Sequence, residues 1–159
     1  MAEVNMYRAR EIYYDIVGTL NAMGWRFDRL DDKLAIKTGV KSQDLPIEFI
    51  MMVDANHQLV LLKSFLPIVV PENKLFDMAF AVCLVNGRLA NGNFDFDFET
   101  RKLSFRLCNS YMDSTVDQEV YRYMIGASTH TIDDYNEKFY LLSTGKMSMD
   151  QFITLVLNR

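Results

Sequence analysis

The chain has 159 residues, 50% apolar, 24% charged and 13% aromatic, and its 17 Lys and Arg against 21 Asp and Glu give a formal charge of −4. A domain of this length buries roughly 68–70% of the surface its unfolded chain exposes, and 8 Tyr, 11 Phe and 1 Trp exclude general disorder, as 7 Gly and 3 Pro exclude collagen-like or low-complexity structure. An acidic, mixed surface repels phosphate backbones and argues against nucleic acid as a partner.

The first segment has helical spacing from about Glu3 to Met23, with Ile12, Tyr13, Ile16, Val17 and Leu20 on one side and Gly24 as a stop. Its start, Met1 to Asn5, lacks the basic region and apolar run of a signal peptide. Two hairpins are expected next. Trp25-Arg26-Phe27 and Leu34-Ala35-Ile36 alternate around Asp31-Asp32, so that Trp25 and Phe27 share a face with Leu34 and Ile36. Ile47 to Asp54 and Leu59 to Leu66 flank Asn56-His57, and a two-residue turn there sets Met51 opposite Leu62 and Met52 opposite Leu61.

Pro67 and Pro71 are expected to stop the sheet, with a second helix from Glu72 to about Ala90 ended by Asn91-Gly92. Its apolar stripe is Leu75, Phe76, Ala79, Val82, Cys83 and Leu89. A third hairpin, Phe94 to Phe98 and Leu103 to Leu107, closes at Thr100-Arg101 and sets Asp95 opposite Arg106 and Glu99 opposite Lys102. The last third is helical. Ser114 or Thr115 caps a helix carrying Val116, Val120 and Met124, and Asp133-Asp134 open another with Tyr135, Phe139 and Leu142 inward. Ser148 and Gln151 form a capping-box pattern before Met149, Phe152, Ile153, Val156 and Leu157. The expectation is one α+β domain over residues 1–159, an antiparallel sheet packed by helices in the order α-ββββ-α-ββ-α(αα), with a helical extension from about 131.

Little in the chain points to catalysis or metal binding. Asp95, Asp97 and Glu99 recur at period two, but cross-strand ion pairs on a wet face account for them better than Ca²⁺, which wants six or more oxygens. His57 falls at a turn and His130 between two helices, neither with a second ligand at metal spacing. No GxSxG elbow or Gly-rich phosphate loop occurs. Neither cofactor, metal nor catalytic residue is expected. Cys83 and Cys108, in apolar contexts, read as core thiols of a reducing cytoplasm. The longest apolar stretch, Leu59 to Val70, is interrupted by Lys63, Ser64 and Pro67 and falls short of the ~20 residues of a membrane helix.

The second hairpin is the most informative stretch. One face carries Ile47, Phe49, Met51, Val53, Val60, Leu62 and Leu66, an ordinary core face. The other carries Ile50, Met52, Leu59, Leu61 and Phe65 beside Glu48, Asp54 and Lys63, where an antiparallel sheet with one wet side would be polar. That second face is expected to be covered, either by the C-terminal helices or by another chain.

From Ala81 to Leu107, the residues Cys83-Leu84-Val85-Asn86, Leu89, Gly92-Asn93-Phe94-Asp95-Phe96-Asp97 and Leu103-Ser104-Phe105-Arg106 resemble the YbjN family, as does the element order over the first three-quarters of the chain. Glu99-Thr100-Arg101-Lys102 departs from the family's Asp- or Gly-rich turn, and nothing beyond about Thr131 matches. The resemblance implies a fold similar to type III secretion chaperones, small proteins that dimerise and bind other proteins, and a loose label as bacterial sensory transduction regulators. It implies no enzyme activity. The leading expectation is therefore a non-enzymatic, cytoplasmic, bacterial protein-interaction module that binds a protein partner or itself through Ile50, Met52, Leu59, Leu61 and Phe65. Its rivals are a hotdog-like hydrolase using Glu72 at a dimer seam, and a ligand-sensing domain with an apolar cavity between the second helix and the sheet.

Overall fold

A computed structural model describes residues 5–41 and 45–158. Helix α1 (Met6–Ala22) begins at Asn5, whose side chain accepts the Arg8 N–H at 2.9 Å; Glu3, the expected start, lies outside the described residues. It ends in a paired cap. The Gly24 N–H donates to Asn21 O and the Trp25 N–H to Leu20 O, with Gly24 at φ 70°. A left-handed residue of this kind is the usual place for glycine, which has no Cβ to clash.

Strands β1 (Phe27–Leu30) and β2 (Ala35–Val40) follow, joined by a 3₁₀ turn at Asp31–Lys33. The loop is longer than the expected two residues, so Phe27 pairs with Thr38 and Arg29 with Ile36. Tyr13 of α1 donates to the Asp31 carboxylate, which also takes Arg29 Nε at 2.8 Å. This clamp fixes the turn against α1. Strands β3 (Ile47–Asp54) and β4 (Leu59–Val69) pair in the expected register, Met51 with Leu62 and Met52 with Leu61. Their loop spans residues 55–58, with Gln58 at φ 55°.

Pro67 does not stop the sheet. It sits within β4 at an irregularity between Phe65 and Val69, where the ladder to the next strand breaks register. Proline lacks the N–H that a regular ladder position would donate, so an interrupted stretch accommodates it. After a 3₁₀ turn at Glu72–Lys74 comes α2 (Leu75–Asn86), shorter than the expected helix to Ala90. Strands β5 (Asn93–Asp97) and β6 (Lys102–Ser110) form the third hairpin, but Asp95 pairs with Ser104 and Asp97 with Lys102, two residues off the expected register. The cause is Asp97. Its carboxylate accepts the N–H groups of Glu99 and Thr100 at 2.9 and 3.1 Å, folding residues 98–101 into a side-chain-capped turn.

The last third differs more. Asp117, not Ser114 or Thr115, caps the next helix, accepting the N–H groups of Glu119 and Val120. That helix, α3 (Gln118–Ser143), runs unbroken for 26 residues, about 39 Å at 1.5 Å per residue. His130, Asp133 and Asp134 lie inside it, and no helix boundary falls near 131. Helix α4 (Met149–Leu157) starts with the expected capping box of Ser148 and Gln151.

The six strands form one antiparallel sheet in the order β1-β2-β3-β4-β6-β5. Helices α1, α2 and α3 contact it, and α4 packs on α2 and α3. They share one buried cluster with alternate strand residues, including Ile36, Phe49, Met51, Val60, Leu62, Leu103, Phe105 and Leu107. The fold is α+β, as expected.

Candidate protein-interaction surface

Side chains alternate across a strand, so the residues between the core positions point to the opposite face of the sheet. The register assembles them into transverse rows. Leu30 pairs with Ala35, Ala35 with Met52, Met52 with Leu61 and Leu61 with Cys108, an apolar row across five strands. With strands about 4.8 Å apart, the row is roughly 19 Å long. Leu59 flanks it on one side, paired with Asp54 and Ser110.

The five residues expected to form the surface, Ile50, Met52, Leu59, Leu61 and Phe65, all lie on this face. Four are half-buried and Phe65 is 52% exposed. Neither Ile50, Met52, Leu59 nor Leu61 joins the buried cluster that the helices share with the other face. The C-terminal helices therefore do not cover them. Leu30, Ala35 and Cys108 extend the row beyond the expected set. Cys108 was expected in the core, yet it falls out of step with Leu103, Phe105 and Leu107, and that alternation is the signal that puts it outside. It is exposed. Burial nonetheless pushes its thiol pKa up, which keeps the group neutral and the row uncharged.

Below the apolar row runs a mixed one, in which Lys37 pairs with Ile50, Ile50 with Lys63, Lys63 with Arg106 and Arg106 with Asn93. Lys37 Nζ lies 3.4 Å from Glu48, and Arg106 bonds Asp95 through Nε at 3.1 Å and a terminal nitrogen at 3.3 Å. The expected Asp95–Arg106 pair thus forms diagonally although the two are not opposite. The expected Glu99–Lys102 pairing does not, since Asp97 faces Lys102. Lys63 Nζ sits 5.2 Å from the centroid of the Phe65 ring.

A second apolar surface lies on α2. Met78, Ala81, Val82 and Val85 face the core, while Phe76 is 84% exposed, Phe80 53%, and Cys83 exposed one turn further on. Phe76 and Cys83 were expected in the buried stripe. Because α2 is apolar on every side, its pattern could not say which side faces in. Phe76 meets the ring of Phe98 edge-on at 6.4 Å, and Phe98 lies 4.9 Å from Phe96.

The chemical candidates are dispersed. Asp95 is bonded to Arg106 and Asn93, Asp97 caps a turn, and Glu99 lies in that turn. Among the described residues no group of three or more His, Cys, Asp or Glu is placed to hold a metal ion. His57 Nδ1 lies 2.7 Å from Asp54 Oδ2 on an exposed turn, while the N–H groups of Asn56 and His57 bond the other carboxylate oxygen. His130 is on the exposed side of α3, 3.7 Å from Asp134. Glu72 is exposed in a short turn ahead of α2. Met78, Ala81 and Val85, between α2 and the sheet, have no exposed surface. No described helix is long and apolar enough to cross a membrane.

The residues that carried the family resemblance build one joint. Asn86, the last residue of α2, donates from Nδ2 to Phe94 O at 2.9 Å and accepts the Phe94 N–H at 2.8 Å, so its amide acts as a strand partner for β5. Gly92, at φ 74°, lets the chain pass over Phe105; a Cβ there would come 2.4 Å from that ring. Phe94 then packs against Phe105, Phe139 and Tyr135, with centroids at 5.0, 5.0 and 5.9 Å.

No family model and no curated protein sequence matches the chain. Solved structures do. YbjN from E. coli, described as a proposed transcription regulator, superposes with a TM-score of 0.58 at 12% identity, over 77% of this chain and 87% of YbjN. The fold is YbjN-like. The HopA1–SchA chaperone–effector complex contains a chain matching at 0.55 and 11% identity, over 86% of this chain and 98% of its own length. The ExsC–ExsE complex contains one at 0.53 and 14%, over 85% and 95%. The YbjN-like, type III secretion chaperone-like architecture implied by the sequence is therefore the architecture of the molecule.

Proposed function

We propose that the protein is a non-enzymatic, chaperone-like interaction module that receives a segment of a protein partner on the open face of its sheet. The observation that carries this reading is the apolar row from Leu30 to Cys108, which no described helix covers. Leu30 and Cys108 are exposed and Met52 and Leu61 half-exposed, with Ala35 buried between Leu30 and Met52, and an apolar row open to water in this way marks a contact surface. Fold likeness to a chain of a chaperone–effector complex supports the same reading by analogy. The exposed thiols of Cys83 and Cys108 suit a reducing bacterial cytoplasm.

A second observation favours self-association at a different place. Phe76, Phe80 and Cys83 line the outer side of α2, and two antiparallel copies would bury them against each other. We assign the homodimer seam to α2 and the partner site to the sheet.

Solution mass by light scattering tests the division, on the native protein, Leu61→Asp and Phe80→Asp. The expected result is a native dimer, a folded monomer for Phe80→Asp, and an intact dimer for Leu61→Asp. Monomerisation by Leu61→Asp alone would move the seam to the sheet face. A native monomer would remove self-association from the reading. Thioester turnover that Glu72→Gln abolishes would replace it with the hydrolase.

A further inference from the structure

We infer that the segment received by the sheet face is acidic: an amphipathic stretch whose apolar side chains lie on the Leu30–Cys108 row and whose carboxylate meets Lys63. This rests on the partner-site reading above and adds the partner's chemistry to it. Lys63 lies on β4, in the interior of the sheet, between Ile50 on one neighbouring strand and Arg106 on the other. Like charges directly opposite across a strand pair are unfavourable. Two of the three cations in this row are answered within the chain, Lys37 by Glu48 and Arg106 by two bonds from Asp95. Lys63 has no ion-pair partner among the described residues, only the face of the Phe65 ring.

Its side chain is half-buried, beside the apolar row. Asp97 feels its charge, but one oxygen of that carboxylate is engaged by the turn at Glu99 and Thr100. A partner covering the face would strip water from Lys63, and burying an ammonium with no carboxylate in contact is strongly unfavourable. A carboxylate on the partner offsets that cost, and the same cation repels basic segments and disfavours purely apolar ones, which would leave it buried and unpaired. The charge thereby selects among apolar partners that the Leu30–Cys108 row alone would accept equally.

The probe is a library of random 16-residue peptides displayed on phage, selected against the immobilised full chain. Enriched peptides are then synthesised, and their affinities measured for the native protein, Leu61→Asp, Lys63→Met and Lys63→Glu. The expected result is a set combining apolar positions with Asp or Glu, with binding abolished by Leu61→Asp. Lys63→Glu is expected to weaken it by about tenfold or more, and added salt to weaken it for native protein but not for Lys63→Met. Enriched peptides that are neutral or basic, or acidic ones indifferent to both Lys63 variants, overturn the inference while leaving the surface reading intact. Failure to enrich any peptide sensitive to Leu61→Asp overturns the surface reading and the inference together. Thermal unfolding separates a structural role: Lys63→Met removes the repulsion with Arg106, so its midpoint is expected to hold or rise. A marked fall would make Lys63 a fold residue and overturn its assignment.

Discussion

The two faces of this sheet are made from neighbouring residues of the same strands, yet they answer to different demands. On the inner face, Phe49, Met51, Val60, Leu62, Phe105 and Leu107 vanish beneath three helices. On the outer face, Met52, Leu61 and Cys108 alternate with them and form an apolar row that folding alone does not require. A solvated sheet face needs only residues that tolerate the pleat, and here its lower rows are mixed and ion-paired as such a face should be. The apolar row is the exception, and that contrast is what points to a contact.

The comparison breaks most sharply on truncation. Phe94→Ala removes a ring packed on Phe105, Phe139 and Tyr135 and should cost about 3–5 kcal/mol in urea unfolding. Leu61→Ala, on the outer face, should cost below about 1 kcal/mol. Equal losses would mean that the outer row is part of the core after all, and the interaction surface would fall with it.

Most of the inner face was legible in the sequence because period-two alternation leaves little choice. The β3–β4 register followed from it directly, down to Met52 opposite Leu61. The β5–β6 register did not, because the turn was read by length alone, whereas the Asp97 carboxylate captures two N–H groups and lengthens the turn. Continuity of α3 was hidden by Gly126, Ser128, Thr129 and Thr131, poor helix formers that tertiary packing overrides. The outer side of α2 was illegible for the opposite reason: an apolar residue at every turn gives no face to prefer. Of the candidate surface, parity found five residues; the same parity, set against Leu103, Phe105 and Leu107, marks Cys108, whereas Leu30 needed the observed β1–β2 register.

A smaller test sharpens how the sheet's far edge is held. Gly92→Ala would place a Cβ against the Phe105 ring at a positive φ and should cost about 1–3 kcal/mol. Asn86→Ala, which leaves the Phe94 N–H and carbonyl without their amide partner, belongs in a similar range of about 1–3 kcal/mol. Both should speed hydrogen exchange in β5 while leaving β1 and β2 unchanged. Loss of protection spread evenly over all six strands would show instead that the joint supports the whole core.

The smallest effect concerns pH, at the border of the apolar row. Burial alone would push the Asp54 carboxyl up, but the His57 side chain and the N–H groups of His57 and Asn56 outweigh it and hold the group below the ordinary carboxylate range. A carboxyl whose folded pKa is depressed contributes stability that is fully present above its unfolded value, near 4, and lost as pH falls through the folded value. Native protein and Asp54→Asn should therefore differ at pH 6 by less than about 1 kcal/mol, as for other partly exposed pairs, and converge below pH 4. Chemical-shift titration of the Asp54 carboxyl carbon checks the direction. A midpoint above 4 would mean that burial prevails and that the turn is held by its backbone alone, which would leave His57 free to face whatever the neighbouring row receives.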